Sequence, residues 1–307
     1  MIPTPIPRQP VFDVSQTSVH WIPDDPFASQ VINVLHLMLP PGERMFCRAF
    51  RLALPALRDE TLIAQVRAFI RQEASHARAH HDAASGLLVR HGIETATYTN
   101  FIEWLVSKGP LAEHPFGYTL PERWQQNWLC FGVGVVASIE HITCILGQFL
   151  LDNTSWARAG ADPEMTALLK WHGAEEIEHR CVAFDVHHAL GAGYASRPVL
   201  LIFGLPLLTA LLFAGATHIL DQDPVLGRER LRPWKPSFWR HWRHSVRAGH
   251  LPSMSWMLRQ HLRYLSPRYN PEHEGNTAQA MAFLSAMTPP TSRQLRDPSA
   301  MTKQEQI

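Results

Sequence analysis

The segment RQEASHARAHHD, residues 71–82, places one glutamate, three histidines and one aspartate in a stretch with the periodicity of an amphipathic helix. A second segment, WHGAEEIEHRCVAFD at residues 171–185, repeats part of this arrangement. In each segment a glutamate precedes a histidine by three residues, and residues three apart on a helix share a face. Each helix therefore directs two ionisable side chains toward one point. The two pairs are Glu73–His76 and Glu176–His179.

Composition limits the classes of protein to be considered. The chain has 307 residues, 46% hydrophobic and 18% charged, which is enough to bury a large core. Its 28 basic and 27 acidic residues give a net charge of +1, so no overall field favours nucleic acid as a partner. The first residues lack a signal-peptide layout, and the four cysteines show no CxxC spacing, which predicts a cytoplasmic protein.

Helical periodicity recurs in four long segments, and strand-like alternation bounded by hairpin signals is absent from the sequence, which predicts an all-α protein. The segments are residues 27–54, 61–91, 122–152 and 164–190. Pro40, Pro41 and Gly42 interrupt the first segment, which predicts that Glu43 lies at a kink or at a fresh helix start. The third segment is apolar nearly all round, which predicts a buried helix.

Two further glutamates extend the repeated pattern to all four segments. Glu43 lies in the first segment, and Glu140 lies in the middle of the apolar run VGVVASIEHITCIL of the third. A lone carboxylate buried there would cost several kcal/mol unless it were neutralised, paired or bound to a metal ion. The four helices therefore offer Glu, Glu-x-x-His, Glu and Glu-x-x-His in chain order.

This pattern resembles the ferritin-like di-iron carboxylate proteins over roughly residues 27–190. The segments LPPGERMF, FIRQEASHARAH and WHGAEEIEHRCVAFD are also similar to a bacterial family usually labelled predicted metal-dependent hydrolases. The resemblance implies a ferritin-like four-helix bundle. It also implies six metal ligands, of which Glu73 and Glu176 would be the bridges: Glu43, Glu73, His76, Glu140, Glu176 and His179.

Three more residues are candidates for the same site. His172 lies one helical turn before Glu176, which resembles the additional histidine of di-iron arylamine N-oxygenases of the p-aminobenzoate oxygenase type. Gln72 and Glu175 each precede a ligand glutamate, where related sites carry a supporting group that orients a ligand histidine. The other histidines near these segments are assigned structural or supporting roles: His80, His81, His141, His187 and His188.

Carboxylate and imidazole ligands without thiolates suit iron or manganese, so the expected cofactor is a pair of iron ions with an external electron donor, which could be a protein. The predicted function is activation of O2 to oxidise a small apolar or aromatic substrate at nitrogen or carbon. Hydrolysis at a dinuclear centre is the first alternative, and iron storage without catalysis is the second. No catalytic residue beyond the metal centre is predicted.

Simpler explanations remain open for part of the pattern. The paired glutamates and histidines could form a structural salt-bridge face, although solvated charges seldom repeat inside apolar helices. Glu43 could be a first-turn acid favoured by the helix dipole, and His172 could be an ordinary surface histidine.

The chain is expected to divide into four parts: an extended leader over residues 1–26, the dimetal bundle over 27–195, C-terminal helices over 196–287 and a disordered tail over 288–307. The third part contains an apolar run, residues 198–220, followed by a segment that alternates Arg and Lys with aromatic residues. These helices are expected to pack on the bundle or to lie at a membrane surface. The sequence leaves peripheral membrane contact and homodimer formation open.

Overall fold

The computed structural model describes residues 4–287, and within that range the chain is helical and contains no β-strand, which confirms the prediction of an all-α protein. Short 3-10 turns and loops connect the helices. The α-helices are α1 Pro26–Asn33, α2 Leu35–Ala53, α3 Glu60–Ala83, α4 Ala96–Ser107, α5 Glu122–Asp152, α6 Ser155–Arg158, α7 Pro163–His179, α8 Val182–Ala189, α9 Ser196–Gln222, α10 Pro236–Ala248, α11 Met254–Leu262 and α12 Thr277–Met287.

Four of these helices form a closed ring. Helix α2 packs on α3, α3 on α7, α7 on α5, and α5 on α2. The remaining helices cover this ring, with α9 against α1 and α5, and α12 against α7. The four helices of the ring carry all the predicted metal ligands, so side chains on their inner faces meet at the centre.

Helix α2 differs from its prediction. The chain breaks at Val34, and α2 then runs without interruption through Pro40 and Pro41. Each proline removes one backbone donor, which normally costs a helix several kcal/mol. Burial of one face of α2, including Leu37, Phe46 and Phe50, offsets that loss. Glu43 therefore lies inside α2, two residues after Pro41, and of the two predicted alternatives the fresh helix start is wrong.

The other long helices match their predicted extents, with local corrections. Helix α3 continues through a wider turn to Gly92, which ends it with a φ of 79°. Helix α5 has the predicted bounds, but residues 122–127 are exposed, so the prediction of a wholly buried helix is wrong for its first turns. The fourth segment divides at Arg180, whose buried guanidinium donates to the carbonyl of Pro271 at 2.7 Å.

The leader and the C-terminal helices both cover the ring. Residues 4–25 are extended or bent, and they bury Val19, Trp21 and Ile22 against the domain. In α10 the aromatic residues Phe238 and Trp242 face inward. The proposed domain boundaries remain a prediction, and the predicted disordered tail, residues 288–307, lies outside the described residues.

Two helices in the described range, α5 and α9, are long and apolar enough to cross a membrane. Core helices of soluble proteins pass the same test, and 56% of the apolar window of α5 is buried. Only 29% of the corresponding window of α9 is buried, and Val199, Ile202 and Leu207 are exposed along it. Membrane contact and cytoplasmic location therefore remain predictions.

Helices α5 and α7 approach each other closely at two glycines. A Cβ atom added to Gly147 would lie 2.3 Å from the carbonyl oxygen of Gly173, which no side chain tolerates. Gly147 follows Glu140 by two helical turns, and Gly173 lies beside His172. The close contact of these two backbones therefore sets the distance between ligand-bearing helices.

We expect Gly147→Ala to lower the free energy of unfolding by about 1–3 kcal/mol or more, because the methyl group forces α5 and α7 apart. Gly132→Ala on the same helix is the matched control, since a Cβ atom there meets nothing within 4 Å. The control should be neutral or slightly stabilising because alanine favours helix. Chemical denaturation of both variants measures the difference, and equal stability would contradict the packing described.

Candidate metal centre

Seven ionisable side chains converge at the centre of the helix ring. They come from every helix of the ring: Glu43 from α2, Glu73 and His76 from α3, Glu140 from α5, and His172, Glu176 and His179 from α7. His172 is the most exposed of them, at 7%, and the others are exposed by 3% or less. Carboxylates and imidazoles are almost never buried together at this density without a partner. The cluster therefore belongs to the interior of the protein rather than to a solvated face.

One group of donors surrounds a single point. One donor atom from each of Glu73, His76, Glu176 and His179 lies within 4.8 Å of the others. The Nδ1 atom of His76 lies 3.7 Å from Oε1 of Glu73 and 3.6 Å from Oε1 of Glu176. The Nε2 atom of His179 lies 3.3 Å and 3.8 Å from the same two oxygens. Ligands about 2.1 Å from a shared ion lie roughly 3–4 Å apart, so this group could hold a metal ion.

A second group overlaps the first. Glu43, His76 and His172 also bring donor atoms within 4.8 Å of one another. The Nε2 atom of His172 lies 2.8 Å from Oε1 of Glu176 and 3.9 Å from Oε1 of Glu43. The structure thus places the ring nitrogen of His172 among the carboxylates, and places Glu176 between the two groups.

The carboxylate of Glu140 contacts the cluster only at the ring of His179. Its Oε2 atom lies 2.9 Å from Nδ1 of His179, but the approach lacks the geometry of a hydrogen bond. Both of its carboxylate oxygens are buried. Neither donor group includes Glu140, which faces the edge of the His179 ring opposite Glu73 and Glu176.

The cluster contains many buried polar atoms that have no hydrogen-bond partner among the described residues. They are both carboxylate oxygens of Glu43, Glu73 and Glu140, Oε2 of Glu176, Nδ1 of His76 and both ring nitrogens of His179. Each unsatisfied buried acceptor costs about 1–3 kcal/mol, and more when charged. A bound cation removes this cost, so the donor set fits a metal ion.

The pKa values of the cluster show the same need for positive charge. Burial, together with the neighbouring carboxylates, raises the pKa of Glu43 and Glu73 well above the usual value. Burial and the charge of Glu176 raise the pKa of Glu140 to about 7. Although burial opposes it, attraction to Glu140 and Glu176 raises the pKa of His179 to about 9. Without a metal ion, protons must therefore neutralise part of the cluster at neutral pH.

Glu176 is the exception among the carboxylates. Burial acts to raise its pKa, but His179, His172 and His76 together hold that pKa below its usual range. Glu176 therefore carries a negative charge in the folded protein and is ready to bind a cation.

Glu175 orients one of the candidate ligands. Its Oε2 atom accepts a hydrogen bond at 2.9 Å from Nε2 of His76, which leaves Nδ1 of that ring facing the cluster. Gln72 differs from its expected role, because its amide donates to no histidine among residues 4–287. It donates to Oε2 of Glu178 at 2.8 Å and to the carbonyl of Ile6 at 3.2 Å.

The sequence analysis missed two residues of this supporting network, Arg8 and Glu178. The guanidinium of Arg8, in the leader, donates to Oε1 of Glu175 at 2.9 Å and to Oε2 of Glu178 at 2.8 Å. It supplies positive charge to two buried acids, and burial raises the pKa of Glu175 while Arg8 lowers it. No local pattern could have identified Arg8, since 167 residues separate it from Glu175.

A row of buried histidines supports His172. The Nε2 atom of His80 lies 2.7 Å from Nδ1 of His172, and the Nδ1 atom of His80 lies 2.8 Å from Nδ1 of His36. Burial lowers the pKa of His36 to about 3 and lowers that of His80, so both rings are neutral. The sequence analysis gave His80 only a general supporting role and did not select His36. For His80, the available signal was its spacing of four residues from His76, which puts both rings on one face of the helix.

Comparison with known proteins identifies one family. The family model described as "Predicted metal-dependent hydrolase" matches residues 6–275. The match includes Arg8, the whole ring and helices α9 to α11. No curated protein and no solved structure matched the chain.

We expect Arg8→Gln to weaken metal binding about 10–100-fold, the usual effect of removing a group that supports a ligand. Without the guanidinium, the pKa of Glu175 rises further, and its carboxylate no longer holds His76 as firmly. Arg58→Gln is the control, because Arg58 is exposed on the connection between α2 and α3. Competition with a chelator measures both affinities, and equal values would remove Arg8 from the site.

Metal affinity should rise with pH between pH 5.5 and 7.5. The pKa is about 7 for Glu140 and about 9 for His179, so both groups are protonated at the lower pH. A metal ion must displace these protons to bind. Each proton released contributes about tenfold in affinity per pH unit. Titration with Mn(II) at several pH values under anaerobic conditions measures the slope. A flat profile would mean that the ion binds elsewhere.

Proposed function

The chain belongs to the predicted metal-dependent hydrolase family, and we propose that it is an enzyme whose buried Glu–His cluster holds two first-row metal ions. The observation that carries the proposal is the convergence of seven buried donor side chains, in which seven of the eight carboxylate oxygens have no hydrogen-bond partner in the described structure. The resemblance of the motif order to ferritin-like di-iron proteins supports a pair of ions rather than one.

The two donor groups suggest how the ligands divide. We assign Glu43, His76 and His172 to one ion and His179 to the other, while Glu140 lies at the opposite edge of the His179 ring, beside Nδ1. Glu73 and Glu176 lie between the imidazoles of both groups and are the candidate bridges. With four carboxylates and three imidazoles and no thiolate, this set suits iron or manganese.

We favour hydrolysis as the reaction class, since it agrees with the family. When bound, the ions would supply Lewis acidity and a water molecule of lowered pKa, or, as iron, electrons for the reduction of O2. The protein's own part is to hold the donors in place and to keep the cluster dry. The Phe69 ring packs edge-on against His179 at 4.7 Å, and the Trp171 ring packs against His76 at 4.9 Å.

A second candidate function is O2-dependent oxidation of a small substrate. His172 favours it, because this imidazole adds a third nitrogen donor whose Nε2 atom already lies among the carboxylates. His80 holds the ring in this orientation through its other nitrogen. This function requires an external electron donor, which could be a protein. Iron storage is the weakest candidate, because the donors are enclosed.

A largely apolar cavity offers room for a small ligand. It has a volume of about 320 Å3 and lies between α2 and α5, with Met45, Ala49 and Val135 in its lining. A substrate with an apolar or aromatic body fits this lining.

We expect two metal ions per chain, both lost in Glu73→Ala and in Glu176→Ala, because a bridging carboxylate serves both ions. Glu60→Ala is the matched control on α3, since Glu60 is exposed at the start of that helix. Elemental analysis of the purified variants gives the count. A single zinc ion per wild-type chain would contradict the dinuclear proposal.

The two reaction classes separate in an anaerobic assay. We expect the Mn(II)- or Zn(II)-loaded protein to cleave p-nitrophenyl esters or phosphate esters without O2 or reductant. O2 uptake by the Fe(II)-loaded protein, with no hydrolysis, would instead favour oxidation. His172→Ala should then retain most of the metal but change the optical spectrum after O2 is added. His188→Ala, at an exposed position on α8, is the control.

A further inference from the structure

A concave surface between α2 and α3 carries four arginines. It is an open depression of about 560 Å3, and Arg44, Arg48 and Arg51 line it from α2 while Arg78 lines it from α3. We call this surface the arginine groove. Residues three and four apart on α2 share a face, which explains why its three arginines point the same way.

Most of this positive charge is not neutralised within the described structure. Arg44 forms a salt bridge with Glu103 at 2.7 Å, and Arg48 donates to the neutral carbonyl of Val106 at 3.1 Å. Arg51 and Arg78 form no salt bridge with any residue between 4 and 287. An arginine row on a convex face is normally only solvated. Arg51 and Arg78 line the groove from two different helices without a counter-charge, which a bound anion would supply.

The groove lies directly beside the predicted metal centre. Cys47 and Ala77, both buried, form part of its lining. Ala77 follows His76 in the chain, and Cys47 lies one helical turn beyond Glu43. The arginines are therefore separated from the cluster by about one layer of side chains.

The groove also meets the apolar cavity between α2 and α5. Arg48 lines both, and it is half-buried at the boundary between them. On the cavity side its neighbours are Met45 and Ala49. A charged surface and an apolar pocket that share one arginine match a ligand with a charged end and an apolar body.

We propose that the arginine groove and the adjoining cavity bind one small ligand, a carboxylate or phosphate attached to an apolar body. The planar guanidinium groups of Arg51 and Arg78 recognise the oxyanion through paired hydrogen bonds, and the cavity encloses the apolar part. This inference rests on the proposed function only in identifying the ligand as the substrate, because binding itself requires no reaction.

The test uses octanoate and octyl phosphate as anionic probes and octan-1-ol as the uncharged probe. Calorimetric titration of the full-length protein should show binding of at least one anion, with octan-1-ol at least tenfold weaker. Arg51→Gln combined with Arg78→Gln should weaken anion binding at least tenfold. Arg243→Gln combined with Arg247→Gln is the matched control, since it removes the same charge from exposed positions on α10.

Chain length tests the cavity without a mutation. Octanoate should bind at least tenfold more tightly than butanoate, since the cavity encloses apolar carbon atoms. The inference is overturned if neither anion binds, if the two double variants bind equally, or if chain length has no effect. Metal content measured on the same samples separates the two proposals. A protein that retains two metal ions but binds neither anion would contradict only the groove proposal. A metal-free protein that still binds octanoate would contradict only the metal-centre proposal.

Discussion

Four carboxylates and three imidazoles share the dry centre of one helix ring, and their mutual repulsion and desolvation dominate this part of the molecule. Buried carboxylates are tolerated only when protons, hydrogen bonds or cations neutralise them. The unpartnered oxygens of Glu43, Glu73 and Glu140 show that hydrogen bonds within the described structure do not suffice. A cation at this centre would relieve the whole set at once.

Features distant from the centre serve the same constraint. The leader places Arg8 over Glu175 and Glu178, which gives positive charge to acids just outside the cluster. The contact between Gly147 and Gly173 brings α5 and α7 close enough for Glu140 to reach His179. The histidine row from His172 through His80 holds one ring toward the carboxylates. Each feature stabilises an arrangement that would otherwise be unfavourable.

Membership of the predicted metal-dependent hydrolase family agrees with this centre without specifying its reaction. Hydrolysis and O2 activation use the same ligand types, so the ligands alone do not separate them. The arginine groove and the cavity beside it restrict which ligand can bind. A charged groove and an apolar cavity meet at Arg48, which restricts the ligand by shape and charge whichever reaction follows.

Helical spacing decides which side chains share a face, so the all-α fold and most residues that meet at the centre could be predicted from the amino-acid sequence. Glu73 with His76, and Glu176 with His179, could be paired from spacing alone, and Glu140 was evident as a charge within an apolar run. The continuity of α2 through Pro40 and Pro41 was decided by tertiary packing, since burial of that helix offsets the lost backbone hydrogen bonds. Arg8 and His36 were likewise beyond local patterns, because their partners lie far away in the chain and only the packed fold brings them together.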